Sequence, residues 1–164
     1  MTFMRVVTLL TIILLAGLWA GNADDLLGKK APAFSLPTVG GKATMALKDF
    51  QGKVVLLDFW ASWCGPCKKS LPALSEMQDQ FRGLRIVGIS IDDKEKNAQR
   101  MMKDLSLDMT ALFDGKKSVA AAYEVSGMPT AVLIDQKGVV QKVYAGYTHD
   151  RIGEMKADIG KLLK

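Results

Sequence analysis

Apolar positions along this chain fall into two alternating periodicities. Residues 54–60, Val-Val-Leu-Leu-Asp-Phe-Trp, form an apolar run with β-branched and aromatic members, broken once by Asp58. A run of this length predicts a strand buried on both faces. Residues 66–81 switch to helical spacing, with Leu71, Leu74, Met77 and Phe81 on one side. Residues 84–91 predict a second buried strand, and 94–105 a helix with Ala98, Met101, Met102 and Leu105 opposite a polar face. A short helix at 118–123 precedes strands at 131–134 and 139–144. Asp135-Gln136-Lys137-Gly138 joins them as a hairpin turn with glycine available for a positive φ. Residues 149–163 close as a helix presenting Ile152, Met155, Ile159 and Leu162. Ahead of all these, 24–37 is a lead-in with two prolines and one apolar stretch at 33–36, followed by the turn signal Gly40-Gly41. Buried strands alternating with helices, then a hairpin, predict an α/β fold with a central mixed β-sheet.

The opening 23 residues follow a different pattern. Residues 1–5 carry one positive charge, residues 6–20 are 15 consecutive apolar or small residues, and Gly21-Asn22-Ala23 precedes Asp24-Asp25. This is the three-part layout of a secretory signal. An uncleaved anchor is the alternative, although 15 helical residues at ~1.5 Å each reach ~22 Å, short of the ~30 Å hydrocarbon core. The run has no polar face, which argues against a core helix. No cysteine follows it, so a lipoprotein anchor is excluded. The expected division is 1–23, a signal peptide or uncleaved N-terminal anchor, and 24–164, one domain beyond the inner membrane. That places the domain in the periplasm, touching the membrane only through the N-terminal segment.

Composition narrows the classes further. The 164 residues are 49% hydrophobic and 24% charged, enough for a domain with its own core and incompatible with a disordered chain. Without residues 1–23 the chain keeps 21 basic and 17 acidic groups, net +4. The bases are dispersed, with Lys29-Lys30, Lys68-Lys69 and Lys116-Lys117 far apart, so no nucleic-acid partner is expected. Two cysteines are too few for a disulfide scaffold or a four-thiolate zinc site.

Those cysteines stand in Trp63-Cys64-Gly65-Pro66-Cys67, where the first buried strand meets its helix. Their spacing lets the sulfurs close a disulfide on one helical turn, a ring too small to restrain the unfolded chain much. At a helix N-terminus, free N–H groups and the helix dipole favour a negative sulfur, which lowers the thiol pKa and activates a nucleophile. Cys64 is therefore expected to be the exposed attacking thiolate. Cys67, one turn inside, would resolve the mixed disulfide. Pro66 has no N–H to waste at the first helical turn. A metal site would need further ligands, and the single histidine, His149, lies far along the chain. Soft-metal capture by two thiolates and a methionine is the remaining metal reading. The expected cofactor set is empty apart from the redox-active Cys64–Cys67 disulfide.

Asp58 interrupts an apolar strand six positions before Cys64. A carboxyl buried there has a raised pKa and can exchange protons near neutral pH. Its expected role is to deprotonate Cys67 through water; the alternative is an acid hydrogen-bonded locally or facing an edge. Gly127-Met128-Pro129-Thr130 just before a strand suggests a tight turn. Of Trp60 and Trp63, one is expected to be buried beside the motif and one exposed.

The segment Asp58-Phe59-Trp60-Ala61-Ser62-Trp63-Cys64-Gly65-Pro66-Cys67, with Pro72 beyond it, closely resembles the active-site segment of thioredoxins. The lead-in, from Lys30-Ala31-Pro32-Ala33-Phe34-Ser35-Leu36 through Leu47-Lys48-Asp49-Phe50-Gln51-Gly52-Lys53, is similar to the exported TlpA/ResA/DsbE branch related to AhpC/TSA proteins. So is the extra stretch at 92–115. The resemblance covers about residues 28–160. It implies a thioredoxin fold with an N-terminal extension and a central insertion. It also implies that Met128-Pro129 is a cis-proline loop facing the sulfurs, with Trp63, Gly65, Pro66, Met128 and Pro129 contacting substrate. Many members of the exported branch have Asn where this chain has Asp58, and some use an acid in the insertion, for which Asp93 and Glu95 are candidates. The function implied is a periplasmic thiol–disulfide oxidoreductase that reduces disulfides in exported proteins. A membrane thiol donor of DsbD/CcdA type would regenerate it, and cytochrome c maturation is the branch's most familiar task. The rivals are a disulfide oxidant or isomerase and a non-catalytic copper-handling protein. The Pro-x-x-x-Thr-x-x-Cys pattern of peroxidases is missing around Cys64.

Overall fold

The apolar run at 54–60 is a strand of those same bounds, with all seven residues buried. A computed structural model describes residues 23–164. The hydrophobic run at 6–20, and with it the signal-or-anchor expectation, lies outside the described residues. Among the described residues no helix is long and apolar enough to cross a membrane. In chain order the strands are β1 (Ser35–Pro37), β2 (Thr44–Ala46), β3 (Val54–Trp60), β4 (Leu84–Ser90), β5 (Thr110–Phe113), β6 (Thr130–Ile134) and β7 (Val140–Ala145). The helices are α1 (Cys67–Gln80), α2 (Glu95–Asp104), α3 (Ser118–Ala122) and α4 (His149–Leu162).

Five strands form one mixed sheet in the order β5-β4-β3-β6-β7, with β3 at its centre. β3 runs parallel to β4 and antiparallel to β6. Helices join the parallel strands, while β6 and β7 need only a hairpin. The mixed sheet expected from the apolar pattern is thus present. Two features of the fold were not expected from the pattern. β5 has only four residues, and β1 and β2 pair as a separate antiparallel hairpin of three residues each around Gly40-Gly41. Elements this short have no periodicity to detect.

The two faces of β3 bury different partners, because successive side chains alternate. Val55, Leu57 and Phe59 pack with Phe34, Leu36 and Tyr123. The Tyr123 ring lies 5.5 Å from that of Phe59, and its hydroxyl donates to the Pro32 carbonyl at 2.7 Å. Val54 and Leu56 pack on the other side with Leu74 and Met77 of α1 and Ile152, Met155 and Ile159 of α4. A third cluster gathers Trp60, Cys64, Cys67 and Leu71 with Ala98 and Met101 of α2. α1 continues through Pro72 without a break in its assignment.

The lead-in crosses the sheet as a strap pinned at both sides. At one end Gly28 N–H donates to the Val140 carbonyl at 2.8 Å and Ala31 N–H to that of Gly138 at 2.9 Å. At the other, Val39 N–H donates to the Ala111 carbonyl at 2.8 Å. Phe34 and Leu36 are buried between the two anchorages.

Candidate active site

β3 ends at Trp60 and α1 begins at Cys67, so the six residues between them are held at both ends by buried elements. Cys64 N–H donates to the Ala61 carbonyl at 3.0 Å, closing a tight turn. Pro66 already has helical torsions, φ −61° and ψ −30°, which suits its fixed ring. Cys64 and Cys67 form a disulfide with Cα atoms 5.3 Å apart. The Cys67 N–H also points at Cys64 Sγ across 3.3 Å.

The two sulfurs differ in access. Cys67 has no exposed surface and Cys64 keeps 5%. The expectation of an exposed Cys64 is therefore corrected: it sits in a wall, packed with Leu71 and Met128, and lines a groove of about 500 Å³. Trp63, Gly65, Pro66, Ile91 and Met128 line that groove with Cys64. Trp63 is 67% exposed and Trp60 1%, the expected division of the pair. The Met128–Pro129 peptide is cis, and Thr130 Oγ1 donates to the Gly127 carbonyl at 2.7 Å to close its loop.

Asp58 is the one polar residue of β3, and in the sheet it stands between Gly88 and Ala131. It is 1% exposed, and among the described residues its Oδ2 has no hydrogen-bond partner. Burial pushes its carboxyl up to about 8, because desolvation penalises the charged form. It faces a cavity of about 10 Å³ shared with Ser70, Pro129, Tyr147 and Arg151, room for about one water. The Ser70 hydroxyl donates to the Cys67 carbonyl at 3.2 Å, which links the cavity wall to the second cysteine.

Sequence-level candidates thus separate into two shells around the disulfide. Trp63, Gly65, Pro66 and Met128 share the groove with Cys64, whereas Asp58 and Pro129 share the cavity behind it. Asp93 and Glu95 belong to neither. Asp93 pairs with Lys117 at 2.8 Å, and Glu95 accepts from the Gly40 N–H at 2.8 Å. Sequence reasoning missed Ile91, Ser70 and a buried carboxylate, Asp92. Asp92 has no exposure, and its oxygens accept from Ser62 N–H at 3.0 Å, Ser62 Oγ at 2.6 Å and Ser90 Oγ at 2.9 Å. Nothing in its neighbourhood of charged residues marks it out before folding. Among the described residues no group of three His, Cys, Asp or Glu side chains is arranged to hold a metal.

The family model described as the AhpC/TSA family matches residues 27–143. The chain belongs to the AhpC/TSA family. Within it, the chain is 36% identical over 136 residues to the thioredoxin-like protein YneN of Bacillus subtilis, covering 80% of this chain and 79% of that one. It is 34% identical over 152 residues to the thiol-disulfide oxidoreductase ResA of the same organism, covering 88% and 84%. Among solved structures, a Chlorobium tepidum protein assigned as the thiol:disulfide interchange protein DsbE superposes with a TM-score of 0.80 at 36% identity, over 84% of this chain and 98% of that one. The expected thioredoxin fold is the fold of this AhpC/TSA chain. With its Cys-x-x-Cys pair closed at the start of α1, it is a thiol–disulfide oxidoreductase of the ResA/DsbE type.

Proposed function

We propose that this oxidoreductase acts in the periplasm as a reductant of disulfides in exported proteins. The observation that carries the reading is the unequal access of the two sulfurs: a client disulfide entering the groove meets Cys64 and is kept from Cys67. In the reduced enzyme the Cys64 thiolate attacks one client sulfur. A Cys64–client disulfide forms as the client's own S–S bond breaks, and the departing client sulfur leaves as a thiolate that takes up a proton. Cys67 then gives its proton to Asp58 through one water and attacks Cys64 Sγ. The mixed disulfide breaks, the second client sulfur leaves as a thiolate that takes back the proton held on Asp58, and the enzyme ends as the Cys64–Cys67 disulfide. Two electrons have passed to the client.

Client binding in this reading uses backbone and apolar contacts. An extended segment lies along the Met128–Pro129 loop as an added strand, while Trp63, Gly65, Pro66 and Met128 receive the side chains beside its cysteine. The hydrophobic run at 6–20 supplies export, with or without cleavage after residue 23. A membrane thiol donor of DsbD/CcdA type returns the pair to the dithiol. Apocytochrome cysteines awaiting haem are one client class this chemistry serves.

The test is the reduction potential of the Cys64–Cys67 couple together with insulin disulfide reduction. A potential near that of thioredoxin, about −270 mV, with turnover abolished by Cys64→Ser, is the expected result. A potential near about −120 mV, typical of a strong oxidant, overturns the direction. Retained copper with no turnover would favour the metal-handling alternative.

A further inference from the structure

The turn that presents Cys64 is tied to a buried acid that accepts hydrogen bonds from three donors. Asp92 follows β4 and is fully enclosed. Three donors meet its carboxylate: the Ser62 N–H at 3.0 Å, the Ser62 hydroxyl at 2.6 Å and the Ser90 hydroxyl at 2.9 Å. Its own N–H donates to Ser90 Oγ at 3.2 Å, so the group is locked from both sides. Ser62 opens the turn, and the Ala61–Cys64 hydrogen bond closes it. Two residues of chain span at most about 7 Å, so with the hydrogen bond and the cysteine side chain added the carboxylate lies within roughly 10–15 Å of the sulfur.

We propose that Asp92 is a positioning residue for the exchange reaction: its carboxylate fixes the Ser62–Cys64 turn and, by its charge, disfavours the Cys64 thiolate, poising the pair to give electrons away.

A dithiol is a strong reductant when its thiolate is not overstabilised, because whatever stabilises the thiolate stabilises the reduced form. The N-terminus of α1 pulls towards the thiolate, and a buried anion nearby opposes that pull. Other charges near the turn are differently placed. Lys68 of α1 with Arg100 and Asp104 of α2 share a depression with Ser62, but all three are exposed and screened by water. Asp58 lies behind the disulfide on β3, uncharged below about pH 8. Glu124, on the far side of the groove after α3, is partly buried. Among the described residues only the Asp92 carboxylate is both enclosed and bonded to the turn. The inference rests on the dithiol reading above and concerns what sets its direction.

The test compares the full-length wild type with Asp92→Asn and Ser62→Ala, measuring the Cys64 pKa by pH-dependent alkylation and the potential against glutathione. Asn keeps the shape and can still accept from Ser62 while donating to Ser90. Asp92→Asn is expected to lower the Cys64 pKa by roughly half to one unit. The equilibrium should shift towards the dithiol by about three- to tenfold at pH 8, a rise of roughly 15–30 mV. Ser62→Ala removes a donor that partly neutralises the carboxylate, so it should raise the Cys64 pKa. An unchanged Cys64 pKa in a folded Asp92→Asn protein overturns the proposal. If that variant does not fold, a fall or no change in Ser62→Ala does so alone, since a merely loosened turn has no reason to raise it. Wild-type insulin reduction, run in parallel, fails only if the dithiol reading itself is wrong.

Discussion

The backbone N–H of Cys67 points at the sulfur of Cys64 across 3.3 Å. After reduction the same donor faces the Cys64 thiolate, while Pro66 has no N–H to compete with it. Among the described residues Cys67 has no such partner, and it has no surface. Substoichiometric iodoacetamide on the reduced protein at pH 7 is therefore expected to label Cys64 at least about tenfold faster than Cys67. Peptide mass mapping reads the ratio, and equal labelling would contradict the assigned order of attack.

Asp58 should cost stability as pH rises. Its folded carboxyl titrates near 8, against an ordinary value of 3.8, so between those limits the native state holds a proton that the unfolded chain has lost. Stability falls with pH across that window. Asp58→Asn has no proton to lose, so if the two match near pH 4 the variant should exceed the wild type at pH 7 by about 4 kcal/mol. Urea unfolding at several pH values checks the divergence.

The same substitution should damage turnover. Without the carboxylate, Cys67 has no base, and resolution of the mixed disulfide should slow by about 10²-fold. Stopped-flow on a preformed mixed disulfide isolates that step. The wild-type rate should climb towards pH 8 and the Asp58→Asn rate should lack that limb.

Gly88 is fixed by a side chain rather than by its torsions. A Cβ built there would stand 2.7 Å from Trp60 Nε1 and 3.2 Å from the Met109 methyl. Gly88 pairs with Asp58 in the middle of the sheet, and Trp60 is 1% exposed, so the indole cannot give way freely. Gly88→Ala is expected to destabilise the protein by about 1–3 kcal/mol, measured by thermal unfolding of the oxidised form.

The two tryptophans should separate folding from recognition. Trp60→Ala empties a buried site and should cost about 3–5 kcal/mol. Trp63→Ala removes an exposed ring and should move stability by no more than about 0.5 kcal/mol while raising KM for protein clients. A large loss of stability in Trp63→Ala would remove that ring from the client-binding surface.

Legibility in the sequence tracked how local each feature is. β3 could be read to the residue because its apolar run is continuous and long, and Asp58 stood out as its single exception. The pairing of Met128–Pro129 with the cysteines came only through resemblance, since 61 positions separate Met128 from Cys67 along the sequence. β5 and the β1–β2 hairpin were too short to carry a period. Asp92 was hidden for another reason. It sits beside Asp93 in a charged stretch, and only its contact with Ser62, 30 residues away, separates a buried acid from a solvated one.

The strap at residues 28–39 bears on how the protein avoids unwanted company. β5 and β7 are the outer strands of the sheet, and bare outer strands invite edge-to-edge aggregation. Lys30 bridges to Val139 beside β7, and Thr38 bridges to Leu112 in β5. One short segment therefore blunts both rims of the sheet. Cutting either anchorage should show first as self-association at high concentration, before any loss of redox chemistry.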